Sequence, residues 1–124
     1  MPIESPFAAS QRYPTVPRSA YRGVLLPAVC MEPVAEYVAA RERAALFDRS
    51  HRGLVRAAGR DRLTWLHNLV TNAVKTLEPG QGNYAFACDV QGRIQFDLNI
   101  LALADALWLD VDQPALPAAL QHLD

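Results

Sequence analysis

The sequence contains few cysteines and histidines and no phosphate-binding glycine motif, and these absences exclude several kinds of site. Cys30 and Cys88 stand far apart and outside any C-x-x-C or metal-ligand spacing, so neither a disulfide framework nor a zinc site is expected. The three histidines are equally scattered, and we predict no metal site. No Walker loop or G-x-G-x-x-G motif is present, and Gly80 and Gly82 in EPGQGN indicate a turn before a strand.

Blocks of one charge and long apolar runs are also missing. Twelve basic and thirteen acidic residues give a formal net charge of -1 without a basic block, which argues against nucleic acid as a partner. The N-terminus MPIESPFAAS lacks the charged and apolar regions of a signal peptide, and no segment approaches the ~18 consecutive apolar residues of a membrane span. We therefore expect a cytoplasmic protein without a membrane partner.

The sequence does have the composition of an ordinary globular chain with a modest core. Of its 124 residues, 51% are hydrophobic and 20% are charged. Six of the nine prolines fall within residues 1–33. We predict that residues 1–31 form an extended lead-in and that residues 32–124 form the domain. From Glu32 the spacing of apolar residues predicts a helix that ends near Leu46, with Pro33 in its first turn.

Beyond Gly53 the apolar pattern changes between the strand period and the helix period. Strands are predicted in GLVRAAG, NYAFACD, RIQFDLNILAL and ALWLDVD, and helices in RDRLTWLHNLVTNAV and QPALPAALQHLD. The order β-α-β-β-β-α predicts an α+β fold that resembles a ferredoxin-like unit with an extra hairpin strand and without its closing strand. Because a missing last strand leaves backbone groups unpaired, we expect an incomplete unit, either a fragment or one completed by a partner.

The stretch GRIQFDLNIL places Asp97 on one side of a strand whose other side is apolar. If Gly92 closes a three-residue hairpin loop, Tyr84 and Phe86 lie on the apolar side. The side of Asp97 then also carries small, polar and indole side chains, namely Ala85, Ala87, Gln95, Asn99, Trp108 and Asp110. A two-residue loop would instead put Tyr84 opposite Asp97, and the sequence leaves both registers open.

The side that carries Asp97 is either solvated or covered. One wet face is common in antiparallel sheets. However, Trp108 and Leu101 would leave apolar surface in water, at ~25 cal/mol per Å². Asp97 and Asp110 would also repel each other unless a donor-rich or cationic group lay between them. We therefore predict that another domain or a flat ligand with polar edges covers this face.

Four motifs, in order along the chain, carry a resemblance to a known family. The runs EYVAARERAALFDRSHRG, DRLTWLHNLVTNAV, LEPGQGNYAF and DVQGRIQFDLNIL resemble the N-terminal part of the glycine-cleavage T-protein (aminomethyltransferase) superfamily and its YgfZ-type folate-binding relatives. The match runs from about Leu26 to the C-terminus. The resemblance implies a tetrahydrofolate-binding fold of which this stretch is the N-terminal part.

The resemblance also implies roles for individual residues. Asp97 corresponds to the acid that family members bring to folate N5 and the aminomethyl group, so it is the predicted catalytic residue. Tyr84, Asp97 and Asn72 are the predicted cofactor-binding residues, with Tyr84 as a folate-pocket tyrosine and Asn72 within a T-N-D motif. The chain departs from the family pattern at three places: Phe96 for the first of two adjacent acids, Ala73 for the T-N-D aspartate, and Val111 at or near an asparagine of the T-proteins.

These departures favour the YgfZ-type branch, which the resemblance links to folate-dependent maintenance of iron-sulfur enzymes. We therefore predict a tetrahydrofolate-binding module of that type. The first alternative is a fragment of a glycine-cleavage aminomethyltransferase, and the second is a non-binding interaction module or truncated remnant. Catalysis by this chain alone is not expected, because further binding walls must come from C-terminal domains or a protein partner that covers the Asp97 face.

Overall fold

A computed structural model describes residues 3–7 and 16–124 of the chain. It divides the chain into two compact units, Met1–His51 and Arg52–Asp124. The boundary that we predict between the lead-in and the domain, at residues 31 and 32, stays a prediction. Residues 1, 2 and 8–15 of the predicted lead-in lie outside the described residues.

The first unit begins with three short strands, β1 Ile3–Glu4, β2 Arg18–Tyr21 and β3 Val24–Pro27. They form a small sheet of the order β1-β3-β2. Strands β2 and β3 form an antiparallel hairpin, and β1 lies parallel to β3. The hairpin loop consists of Arg22 and Gly23, which both have positive φ values, of 52° and 78°. This is the loop conformation that suits the twist of a two-residue hairpin. The proline-rich lead-in therefore contains a short sheet within its described part.

Helix α1, Pro33–Glu42, starts where the sequence predicts but ends earlier. Pro33 occupies the first turn, and the Glu32 carboxylate accepts a hydrogen bond from the Ala35 amide at 3.0 Å. Our prediction of an end near Leu46 is wrong, because Arg43 leaves the helical conformation. No residue of α1 is buried. Since most helical stability in proteins comes from packing, the apolar spacing alone does not extend this helix.

The second unit confirms the predicted β-α-β-β-β-α order and the α+β class. Its elements are β4 Arg52–Ala58, α2 Arg62–His67, β5 Gly82–Cys88, β6 Ile94–Ala102, β7 Ala106–Asp112 and α3 Leu116–Leu123. The four strands form an antiparallel sheet of the order β4-β7-β6-β5. Among the helices of residues 3–7 and 16–124, none is long and apolar enough to cross a membrane.

The core lies on one face of this sheet, beneath α2 and α3. The inward side chains of the strands alternate with outward ones, as a half-buried sheet requires. Leu66 of α2 and Ala119 and Leu123 of α3 pack against this face. The strand residues that belong to this core cluster are Ala85, Ala87, Phe96, Leu98, Ile100, Ala102, Leu107, Leu109 and Val111.

Helix α2 ends at His67, whereas the apolar pattern predicts a helix over the whole run RDRLTWLHNLVTNAV. The next residues pair with the edge of β5: Val70 forms a bridge with Ala87, and the Thr71 amide donates to the Phe86 carbonyl at 2.9 Å. The Phe86 amide in turn donates to Thr71 Oγ1 at 3.0 Å. These tertiary hydrogen bonds override the local preference for helix.

The hairpin between β5 and β6 has the three-residue loop that we considered, but not the register that we attached to such a loop. Gly92 has φ 79°, and the Asp89 amide donates to the Arg93 carbonyl at 3.0 Å, as expected for a three-residue loop. Beyond the loop, Cys88 pairs with Ile94 but Ala87 pairs with Phe96. Gln95 is therefore the extra residue of a β-bulge. The bulge turns Ala85 and Ala87 toward the core, and it places Tyr84 and Phe86 on the side of Asp97.

A serine and an aspartate tie together distant parts of the first unit. Ser5 is fully buried, and its hydroxyl donates to Asp48 Oδ2. The Ser50 amide donates to Asp48 Oδ1 at 3.0 Å. Burial alone would raise the pKa of Asp48, but the hydrogen bonds from Ser5 and Ser50 and the nearby His51 outweigh burial and lower that pKa.

Asp48→Asn should remove a pH-dependent part of the stability of the first unit. Because the folded-state pKa of Asp48 lies below its ordinary value of 3.8, the ionised carboxylate stabilises the fold above that value, and this contribution is lost as the pH falls below it. Urea unfolding followed by the amide NMR signals of residues 24–26, at pH 7 and pH 3, measures the effect. Equal pH dependence in the wild type and the variant would contradict it.

Gly82→Ala should destabilise the second unit by about 1–3 kcal/mol, the range for overpacked sites. A methyl group at residue 82 would press on the backbone carbonyl oxygen of Ile100, which cannot rotate away as a side chain can. Urea unfolding followed by tryptophan fluorescence measures the change in the free energy of unfolding. The control is Thr64→Ala at an exposed position, and a Gly82 variant as stable as this control would disprove the close approach.

Candidate functional site

The sheet face opposite the helices, called the open face below, carries the residues that chemistry could use. Cross-strand neighbours form rows on this face: Leu54, Asp110, Asn99 and Tyr84 in one row, and Arg56, Trp108, Leu101 and Gly82 in the next. Arg52 pairs with Asp112, and Asp97 pairs with Phe86, at the end of the face. The prediction that Trp108 and Asp110 share a face with Asp97 is confirmed.

Asp97 and Tyr84, two of the predicted site residues, meet on the open face. The Tyr84 hydroxyl donates a hydrogen bond to Asp97 Oδ2 at 3.1 Å. The side chain of Asp97 is 39% exposed. No described residue hydrogen-bonds the other oxygen, Oδ1. The carboxylate is therefore held on one oxygen and accessible from the side of the solvent.

Asn72, the third predicted site residue, is not brought to Asp97. Its amide nitrogen donates to the Tyr84 carbonyl at 2.9 Å, and its oxygen accepts from the Ala73 amide at 2.8 Å. Both contacts are to backbone, so the structure places Asn72 as a support for β5 at the residue that carries the phenol. Its role as a direct cofactor ligand stays a prediction.

Arg52 is the residue of this site that our sequence reasoning missed. Its Nε donates to Asp110 Oδ1 at 2.8 Å, and its Nη2 donates to the Asp110 carbonyl at 2.7 Å. Its Nη1 lies 4.0 Å from Asp97 Oδ2 and 3.9 Å from Asp112 Oδ1. Arg52 thus lies near both Asp97 and Asp110 as a cationic group, one of the two kinds of group that we expect there. We began the strand at Gly53, and extending its alternation by one residue would have placed Arg52 on this face.

The charges and hydrogen bonds among these residues shift the pKa values of Arg52 and Tyr84. Burial tends to lower the pKa of Arg52, but the hydrogen bond and charge of Asp110 and the charges of Asp97 and Asp112 outweigh burial and raise it. The pKa of the Tyr84 phenol is raised by partial desolvation and by its hydrogen bond to the negatively charged Asp97, while Arg52 acts in the opposite direction. Arg52 therefore stays charged, and Tyr84 stays a protonated donor at neutral pH.

Apolar surface surrounds these polar groups. Leu54 is 58% exposed and Trp108 is 40% exposed, and Tyr84 and Leu101 are also exposed. Phe96, in contrast, is buried on the core side with its ring against that of His122. A face with a polar centre and apolar surroundings suits a flat ligand with polar edges, because its rings gain from burial while its edge groups keep hydrogen bonds.

The arrangement offers a fixed acceptor, and the described residues of the open face form no Ser-His-Asp or Cys-His group. A carboxylate held by a tyrosine can accept a hydrogen bond from a ligand or stabilise positive charge that develops on a ligand nitrogen. Within the described part of the chain, no three His, Cys, Asp or Glu side chains are placed to hold a metal ion.

A separate cavity of about 570 Å³ lies in the first unit. Its lining is mainly apolar and includes Leu26, Ala39 and Phe47. None of the predicted site residues lines it.

Asn72→Ala should lower the free energy of unfolding by about 1 kcal/mol, a typical net value for lost hydrogen bonds. The reason is that two backbone groups, at Ala73 and Tyr84, lose their partner. Urea unfolding measures the change, with Lys75→Ala at a nearby exposed position as the control. Identical stability of the two variants would show that the Asn72 contacts do not support β5.

Comparison with known proteins places the chain in a family. Residues 11–123 match the family model described as the GCVT N-terminal domain. Similar curated proteins include an aminomethyltransferase of Thermoanaerobacter pseudethanolicus, 34% identical over 89 residues that make up 72% of this chain and 24% of that protein. An aminomethyltransferase of Bacillus subtilis is 43% identical over 65 residues, which are 52% of this chain and 18% of that protein.

A solved structure shares the fold. The crystal structure of glycine cleavage system aminomethyltransferase T from Bartonella henselae matches with a TM-score of 0.78 and 22% sequence identity, over 97% of this chain and 34% of that one. The chain spans about a quarter of the length of the curated relatives it matches. The resemblance inferred from the four sequence motifs is thereby confirmed, and the chain belongs to the GCVT N-terminal domain family.

Proposed function

We propose that the chain is the N-terminal part of an aminomethyltransferase and that its open face forms one wall of a tetrahydrofolate site. The family match and the relatives named as aminomethyltransferases support this alternative better than our main prediction, a YgfZ-type protein linked to iron-sulfur enzymes. The remaining walls would come from the part of the relatives' length that this chain does not span.

The observation that carries the proposal is the Asp97 carboxylate on the open face, held on Oδ2 by the Tyr84 hydroxyl at 3.1 Å. The sequence predicts both residues for the folate pocket. The hydrogen bond between them depends on the bulge at Gln95, which the sequence does not predict. The exposed ring of Trp108 lies on the same face and offers an apolar surface for a flat ligand.

The departure from the family pattern at Phe96 argues less strongly against a transferase than the sequence alone indicates. Phe96 lies on the core side of β6, with only 5% of its surface exposed, whereas Asp97 lies on the open face. Since neighbouring strand residues point to opposite faces, an acid in place of Phe96 would not have contributed an acceptor beside Asp97. The acceptor on the open face is the one that the chain retains.

The chemistry of this wall would be electrostatic. A fixed carboxylate could accept a hydrogen bond from a ring N–H of the folate or stabilise positive charge on the nitrogen that carries the transferred group. Such a transfer relies on orientation and charge placement more than on a covalent intermediate, and it needs no Ser-His-Asp or Cys-His group on the open face.

Asp97→Asn should weaken binding of 5-formyltetrahydrofolate, a stable analogue of the proposed ligand, by about 10- to 150-fold. This range corresponds to a hydrogen bond to a charged group, about 1.5–3 kcal/mol. Isothermal titration calorimetry measures the affinity. The matched control is Asp105→Asn, which removes an exposed carboxylate that pairs with Arg56 at 2.6 Å.

Two results would overturn the proposal for this chain. One is that the wild-type protein binds no ligand at millimolar concentration. The other is that Asp97→Asn and Asp105→Asn bind with the wild-type affinity. Unfolding midpoints of both variants exclude a loss of binding that merely follows from a loss of fold.

A further inference from the structure

Two donors approach the same oxygen of Asp97. The Tyr84 hydroxyl bonds to Oδ2 at 3.1 Å, and Arg52 Nη1 lies 4.0 Å from that same Oδ2. The other oxygen, Oδ1, receives no hydrogen bond from any described residue. The two oxygens of one carboxylate therefore differ in surroundings, one facing protein donors and one available for another partner.

Arg52 is held independently of Asp97. Two of its nitrogens bond to Asp110, one to the side chain at 2.8 Å and one to the backbone carbonyl at 2.7 Å. Its side chain is only 14% exposed. A guanidinium is planar and rigid, so these two bonds also fix the direction of its third nitrogen, Nη1. That nitrogen lies near the carboxylates of both Asp97 and Asp112.

We propose that Arg52 is a positioning residue: from its anchorage on Asp110 it orients the Asp97 carboxylate, together with Tyr84, so that Oδ2 faces the protein and Oδ1 faces the ligand. This inference rests on the proposed folate site for the identity of the ligand. It assigns to Arg52 a role that acts through Asp97 and without contact to the ligand. A carboxylate fixed in this way loses little rotamer freedom when a ligand binds.

The χ1 rotamer of Asp97, which decides whether its carboxylate stays beside Arg52 and Tyr84, can be measured without any ligand. Three-bond couplings between Hα and Hβ of Asp97 report whether its side chain occupies one rotamer or several. We expect one dominant rotamer in the wild type and averaged couplings in Arg52→Met. Arg52→Lys keeps the charge and should restore part of the preference.

Arg56→Met is the matched control, because Arg56 lies on the same strand and the same face but pairs with Asp105. Its couplings at Asp97 should equal those of the wild type. If Arg52 only joins β4 to β7, Arg52→Met lowers stability and leaves the Asp97 couplings unchanged, and that result overturns the inference. Should Arg52→Met fail to fold, Arg52→Lys provides the comparison, because a lysine ammonium lacks the rigid fork that bonds Asp110 twice while facing Asp97. Wild-type couplings at Asp97 in Arg52→Lys then overturn the inference.

A second measurement connects the orientation to binding. Affinity for 5-formyltetrahydrofolate should fall about tenfold in Arg52→Met and less in Arg52→Lys; tenfold corresponds to 1.4 kcal/mol. Absence of binding by the wild type refutes the proposed function, while the couplings still decide the role of Arg52. Wild-type affinity in Arg52→Met, beside binding that depends on Asp97, refutes the positioning role alone.

Discussion

A single extra residue in β6, Gln95 at the bulge beside Cys88, decides which side chains of β5 share a face with Asp97. Without it, Ala85 and Ala87 would lie on the open face, and Tyr84 and Phe86 would enter the core. With it, the small alanines leave room for Phe96 and Leu98 beneath the helices, and the Tyr84 phenol reaches the Asp97 carboxylate. Because side-chain direction has a period of two, one inserted residue inverts every contact beyond it.

The sequence was sufficient for features that depend on local periodicity and turn chemistry. The order β-α-β-β-β-α, the left-handed Gly92 and the faces of Trp108 and Asp110 follow from apolar alternation and from the glycine. The bulge was not predictable in this way, because it depends on how β5 fits the helices across the sheet. The early end of α2 has the same origin, since Thr71 exchanges helical bonds for bonds to Phe86.

Part of the candidate site is predictable from the sequence for similar reasons. The sequence predicts Asp97 and Tyr84 as site residues, and the repulsion between Asp97 and Asp110 predicts a donor-rich or cationic group between them. Arg52 is 45 residues before Asp97 in the chain, and only the pairing of β4 with β7 brings it near. Burying a charged group is unfavourable unless partners surround it, and the three carboxylates near Arg52 supply that compensation.

The segment after α2 has a consequence for the behaviour of the protein in concentrated solution. Val70, Thr71 and Asn72 lie along the outer side of β5 and hydrogen-bond backbone groups there. An unprotected strand edge can recruit strands of other molecules and start fibre-like assembly. This segment blocks that edge with loop and side-chain contacts that no incoming strand can continue. Tyr84 can therefore stay exposed and Phe86 half-buried on a strand that is shielded from aggregation along that edge.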